Sequence, residues 1–228
     1  MGRAAKPYNR RDRWRRAAFI AVLVVALDAC SPNAPPSSTP SAAPVVRSSA
    51  AASSAPTIIT PSDPAGWTRY KSAGFSIATP PDWKTNSAYD YSELGPGQGI
   101  HGVSFTIPAA LAKGTNLSSG SYISVETLPG SKTCAASAFI DGPTAEPSVR
   151  EGGVTYSVAT GSQGAAGNFY EETVYAANGT SPCIAVRYFI HSTNIGNYDP
   201  GTIKAFDEPA LIARLDAIRR TLVLDGAK

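Results

Sequence analysis

The sequence changes character at Trp67, and that boundary limits what the chain can fold into. Residues 31–66 read SPNAPPSSTPSAAPVVRSSAAASSAPTIITPSDPAG, nearly all Ser, Ala, Pro and Thr, with Arg47 and Asp63 the only charges. Such a segment carries too little large apolar surface to offset the entropy lost on ordering it. Its prolines stiffen it locally, so a semi-extended, disordered spacer is expected. Any core must come from residues 67–228, where aromatic, β-branched and charged residues recur in periodic runs. Those 162 residues suit one core. They contain no internal repeat and no second linker.

Within this body, residues 74–79 (GFSIAT) alternate and stop at Pro80-Pro81, a strand ended by residues that cannot donate to a ladder. Trp67 to Tyr70 can pair back on it as a short strand. Residues 85–99, polar and glycine-rich, read as a loop. Residues 102–107 alternate with Val103, Phe105 and Ile107 on one face. Residues 122–128 do the same, with Ile123 and Val125 inward and Glu126 outward. Residues 134–139 suggest a short helix. Residues 154–158 and 169–176 read as hairpin strands joined by a flexible GSQGAAGN. Asn178-Gly179 signals a tight turn into Cys183–Ile190, the most apolar strand and so a central one. Asp207 can cap a helix opened by Glu208-Pro209, with Leu211, Leu215 and Ile218 on one face. Residues 221–224 close the chain as a strand.

Charge must be placed before it is interpreted. The chain has 20 Lys+Arg against 17 Asp+Glu, a net of +3. Seven of those cations lie in the first sixteen residues, opposed only by Asp12. From Ser31 onward thirteen cations face fifteen anions, a net of −2. The basicity belongs to the N-terminus, and the body offers no charge-based case for nucleic acid. After the cationic segment comes AAFIAVLVVAL, residues 17–27. Eleven helical residues span about 16 Å, roughly half the hydrocarbon thickness of a bilayer. A cationic region, a short apolar run and small residues before a cut site are the parts of a secretory signal. No apolar stretch reaches the length of a membrane-spanning helix, which excludes a multi-span protein of helices.

Leu27-Asp28-Ala29-Cys30 resembles the processing motif of bacterial lipoproteins, in which the Cys becomes the lipidated first residue. Leu27, Ala29 and Cys30 match; Asp28 stands where a small neutral residue is usual. The alternatives are cleavage by the general signal peptidase, with Cys30 incidental, and an uncleaved short anchor, which the eleven-residue length disfavours. The resemblance implies a diacylglycerol on Cys30 that tethers the body to a membrane surface, since two chains anchor stably where one does not. Ser31 after the Cys fits transfer to an outer membrane where the cell has one. The residues leave inner and outer membrane open.

The opening GFSIATPPDW (74–83) and the closing LDAIRRTLVL (215–224) resemble the two ends of PsbP/Mog1-like domains and frame the whole body. The resemblance implies an α+β fold, an antiparallel sheet flanked by helices in an α/β/α sandwich. It also implies action by binding partners, although fold alone does not carry function.

Candidate sites are few. With Cys30 assigned to lipid, Cys134 and Cys183 remain, and in an oxidising envelope two leftover cysteines pair. The bridge would close a loop of about fifty residues, worth roughly 3–4 kcal/mol in the chain-entropy model. Gly97 to Gly102 matches G-x-G-x-x-G, but a dinucleotide loop must follow a strand and open a helix. Here a loop precedes it and an alternating strand follows. His101 and His191 are far apart and neither has a second ligand at metal-binding spacing. Residues 194–201 are oxygen-rich without the spacing of a calcium loop. Glu171 and Glu172 point to opposite faces of a strand. Tyr89-Asp90-Tyr91 could either present a recognition surface or pack at the domain edge. No catalytic, cofactor or metal residues are assigned.

The sequence therefore predicts a signal over 1–29, a lipidated Cys30 and tether over 30–66, and one globular domain over 67–228. The expected protein is an exported lipoprotein of the cell envelope, held on the extracytoplasmic side and acting as a non-catalytic binding or accessory module for a protein or envelope ligand. An envelope hydrolase with a dispersed site and a structural or stress-related surface protein are the alternatives.

Overall fold

The computed structural model describes residues 63–225. The expected signal over 1–29, Cys30 and the expected tether as far as residue 62 lie outside the described residues. Among the described residues ten strands form two antiparallel sheets. A small sheet has the order β1-β2-β10, from β1 (Thr68–Ser72), β2 (Phe75–Thr79) and β10 (Val223–Leu224). The large sheet has seven strands in the order β3-β4-β5-β9-β8-β7-β6. They are β3 (Lys84–Tyr91), β4 (Ile100–Thr106), β5 (Tyr122–Leu128), β6 (Thr144–Glu151), β7 (Val154–Ala165), β8 (Asn168–Ala177) and β9 (Cys183–Thr193). Among the described residues there are two α-helices, a four-residue turn α1 (Ala109–Ala112) and α2 (Glu208–Arg219). Among the described residues no helix is long and apolar enough to cross a membrane.

The α/β/α sandwich expected from the PsbP/Mog1-like resemblance is not what forms. The domain is β-rich, and α2 is its one helix of more than four residues. The apolar period of α2 puts Leu211, Leu215 and Ile218 against Ile184, Val186, Tyr188 and Ile190 of β9. Phe75 and Ile77 of the small sheet join the same core. Asp207 caps α2 as its residue type suggested, accepting from the Ala210 N–H at 3.0 Å. The opposite face of the large sheet has no helix of comparable length. The segment between β5 and β6 covers it, with a single 3₁₀ turn at Ala136–Ala138 in place of the expected helix over 134–139. Ala136, Phe139 and Ile140 of that segment pack on Ala159, Val174, Ala176 and Ala185. The disulfide Cys134–Cys183 pins it to the first residue of β9.

Three local expectations are also corrected. Residues 84–91 are an edge strand and not a loop, because β4 supplies the ladder that a polar sequence does not announce. GSQGAAGN is no flexible connection: β7 and β8 pair through it, from Tyr156↔Ala177 to Ala165↔Asn168. Only Ala166 and Gly167 turn the chain, at φ of 49° and 81°, the positive values of a two-residue hairpin turn. Of the expected closing strand 221–224, only Val223 and Leu224 pair, with β2. Thr221 instead uses its hydroxyl to accept from the Ala78 N–H and donate to the Ala78 carbonyl. The β1–β2 pairing and the central place of β9 are as expected.

Both edges of the large sheet are blunted against further pairing. β6 carries Pro147 and a register shift between Glu146 and Val149; β3 carries one between Asn86 and Tyr89. The chain enters the domain through Asp63, whose carboxylate accepts from Arg69 Nε at 2.9 and 3.1 Å. That hydrogen bond holds the Asp63 carboxyl below the usual carboxylate range.

Candidate functional site

β5, β9 and β8 lie side by side, and alternation aims one polar side chain from each at the face under the disulfide-pinned segment. These are Glu126, Arg187 and Glu172. Glu126, expected to face outward, is 0% exposed, as is Arg187, and Glu172 is 6% exposed. The alternation of β5 was read correctly. The second layer over that face was invisible in it.

Arg187 forks onto Glu126, with Nε donating to Oε1 at 2.7 Å and Nη2 to Oε2 at 2.9 Å. Its Nη1 donates to Glu172 and Nη2 also to the Phe139 carbonyl of the covering segment. Tyr89 and Tyr91 of β3 reach over from the sheet edge. The Tyr89 hydroxyl donates to Glu126 Oε1 at 3.0 Å, and Tyr91 donates to both oxygens of Glu172 at 3.1 Å. Ser124 adds a bond to Glu126 Oε1 at 2.8 Å. The guanidinium lies 3.5 Å from the centre of the Tyr91 ring, a cation–π contact strengthened by desolvation. One cation thus serves two carboxylates. Burial raises the Glu172 pKa and outweighs the attraction of Arg187, most of whose donors are engaged by Glu126 and Phe139. Burial and the charge of Glu126 push the Tyr89 phenol well up as well.

The raised Glu172 value has a testable consequence. The folded chain retains this proton to higher pH than the unfolded one. Its contribution to stability is therefore full below the ordinary value of 4.5 and declines as pH rises through the folded value. Glu172→Gln is expected to remove that decline, so its melting temperature should gain on the parent as pH is raised from 4.5 to 7. Parallel melting curves across that range would contradict this assignment.

The helix side of the sheet carries a second buried arginine. Arg219 of α2 donates through Nε to the Tyr188 hydroxyl at 2.8 Å and through Nη2 to Asp216 at 3.1 Å. It lies 4.1 Å from the Tyr175 ring centre and also pairs with Glu151 of β6. Among the described residues every buried side-chain N or O atom has a partner. Both arginines are spent on joining layers: one fixes the covering segment, the other α2.

What faces solvent is different. His101 on β4 stands across the ladder from Asp90 on β3, and the carboxylate meets its Nδ1. Ser92 lines the same concavity of about 660 Å³ together with Gly95, Gly97 and Gly99. The glycine-rich loop enters β4, as its sequence context required, and Gly102 has a packing role. A Cβ there would lie 2.3 Å from the Val125 carbonyl oxygen. His191 sits on the opposite face of the sheet, its Nε2–H donating to Asn168 Oδ1 at 2.9 Å. The two histidines therefore cannot share an ion, and no group of three metal-ligating side chains occurs among the described residues. Glu171 and Glu172 do face opposite ways. Residues 194–201 form a structured turn around a 3₁₀ turn at Ile195–Asn197.

A row of rings crosses the open end of the disulfide-side face. Tyr122 and Phe189 stack at 4.8 Å, Phe189 and Tyr170 lie 5.9 Å apart, and Tyr170 and His191 stack at 4.5 Å. The stacked pairs spend ring faces on one another, so the row is a packed ridge. Beside it, a polar concavity of about 620 Å³ is lined by Asp82, Lys84, Asn86, Ser104, Thr106 and Ser119. Sequence reasoning missed the buried cluster because its members come from four strands. Arg187, a lone cation inside the most apolar strand, was the signal that could have found it.

Fold and site together define a disulfide-pinned, β-rich domain of two antiparallel sheets with a buried arginine on each face of the large one. No protein-family model and no curated protein matches the chain.

Proposed function

We propose that the chain is an exported lipoprotein, tethered through Cys30 to the extracytoplasmic face of a membrane and acting as a non-catalytic binding or accessory module of the cell envelope. The observation that carries this reading is the Cys134–Cys183 disulfide in the folded domain. Such bridges persist in oxidising compartments, the destination that the N-terminal segment and Cys30 imply. A further support is that the buried charged clusters around Arg187 and Arg219 are fully hydrogen-bonded and join layers of the fold. Mass spectrometry of the mature N-terminus tests it: acyl chains on Cys30 are expected, and Cys30→Ser should release the protein from membranes. An unmodified N-terminus elsewhere would refute the lipoprotein reading.

A hydrolase is the second reading, favoured by Asp90 on His101 Nδ1 with Ser92 in the same concavity. It ranks below the first because the His101 side chain is 83% exposed. Catalytic dipoles act strongly only where water is excluded. His101→Ala abolishing an esterase activity of the purified chain would reverse that order.

A further inference from the structure

Three large hydrophobic side chains are exposed among the described residues: Phe169 at 46%, Ile195 at 42% and Tyr198 at 40%. All three belong to one end of the large sheet. Phe169 follows the β7–β8 turn, while Ile195 and Tyr198 lie in the turn that leaves β9. The two turns are clamped together. The Asn194 N–H donates to the Gly167 carbonyl at 2.7 Å, and within the turn that leaves β9 the Tyr198 hydroxyl bonds Thr193 Oγ1 at 2.9 Å. Gly167 turns the chain at a φ of 81°, which favours glycine, and Asn197 Nδ2 seats where a Cβ on it would lie. The three side chains thus project from a fixed base, and holding them ready costs little further ordering.

We propose that this end of the sheet rests on the lipid bilayer that anchors the chain, with Phe169, Ile195 and Tyr198 entering the headgroup–acyl boundary. The proposal rests on the lipoprotein reading. Its size argues for lipid over protein. A stable protein interface takes about 800 Å² and 20–30 residues per partner, far more than three side chains supply. Three apolar side chains are also too few to hold a free domain on a bilayer. A tether changes that by supplying an effective concentration in the mM range. Thirty-three residues run from Cys30 to Ser62, a contour of at most about 120 Å at 3.6 Å each. That reach lets the tip meet the membrane from wherever the chain enters the domain. The net charge of −2 beyond Ser31 gives no general attraction to anionic lipid, so the contact is apolar and indifferent to lipid charge.

The test supplies the anchor chemically. With Cys134 and Cys183 bridged, Cys30 is the one free thiol of the chain beginning there. It can be coupled to maleimide-bearing lipid in phosphatidylcholine vesicles. Phe169→Trp reports the tip. Lys71→Trp reports the far end, since the β1–β2 turn packs beside Ile184 at the start of β9. Bromine on the acyl chains should quench the indole of Phe169→Trp roughly twofold, as for a ring seated at the acyl boundary, and leave that of Lys71→Trp unchanged. Adding Ile195→Ser and Tyr198→Ser should abolish the quenching, and Ile195→Ser alone, which leaves the Tyr198–Thr193 bond in place, should weaken it without lowering the melting temperature. Equal quenching at both sites, none at either, or quenching only with anionic lipid would overturn the proposal. So would quenching that occurs only at high surface density, which would point to a second copy as the occupant. A Cys30 without acyl chains in cells would defeat the lipoprotein reading and leave these vesicle results intact, so the two failures are distinguishable.

Discussion

Arg187→Met is expected to destabilise the domain by about 3–5 kcal/mol at pH 7, the cost of breaking a buried ion pair from one side. For a domain of this size that lowers the melting temperature by roughly 10 °C or more. Methionine fills most of the space but leaves Glu126 and Glu172 facing each other with no cation. Neither carboxylate has water to turn to, since they are 0% and 6% exposed. The loss should therefore shrink in acid. With Arg187 gone the Glu172 carboxyl, already raised by burial, loses the cation that favours its charged form and is protonated in the fold to still higher pH. The stability the variant retains is present at low pH and falls as pH rises through that folded value. Replacing all three residues together by apolar side chains should recover most of the loss, because such swaps are often neutral or stabilising. A loss below about 1 kcal/mol for Arg187→Met would mean that water reaches the cluster.

Removing the disulfide is the second large effect. Cys134→Ala with Cys183→Ala opens a loop of sequence separation 49, worth about 4 kcal/mol in the chain-entropy model and commonly 2–4 in practice. The damage should be local before it is global. Residues 134–141 carry Phe139, whose carbonyl accepts from Arg187, and Ile140, which seats beside Gly161. Freed from Cys183, this lid should exchange its amide hydrogens faster than β9 does, and the polar cluster beneath should become wet. A denaturant titration gives the total, and hydrogen exchange gives its distribution. Uniform exchange across lid and β9, or a loss under about 1 kcal/mol, would show that packing alone holds the segment.

The strands that were legible are those whose own alternation is strong. In β2, β4 and β5 apolar residues recur at period two, and in β9 the run is apolar enough to demand burial on both faces. α2 was legible from its cap and from Leu211, Leu215 and Ile218. β3 was not, because KTNSAYDY is polar at an edge where only Tyr89 and Tyr91 turn inward. The glycines of GSQGAAGN suggested freedom, but a residue's place in a ladder is decided by the strands on either side. The sandwich was expected from resemblance at the two ends, and the ends say nothing of what covers the far face.

By itself, then, the sequence determined where a core could begin and which segments alternate, and setting Cys30 aside as the expected lipid site it pointed to the Cys134–Cys183 pair that forms. Each follows from local composition, spacing or elimination. Only the tertiary structure decided that Glu126 is buried, that Arg187 serves two carboxylates, and that a disulfide-pinned segment and not a helix forms the second layer. Those outcomes depend on contacts between residues up to 61 positions apart, as for Arg187 and Glu126. A charge can be buried only where the fold brings its partners to it.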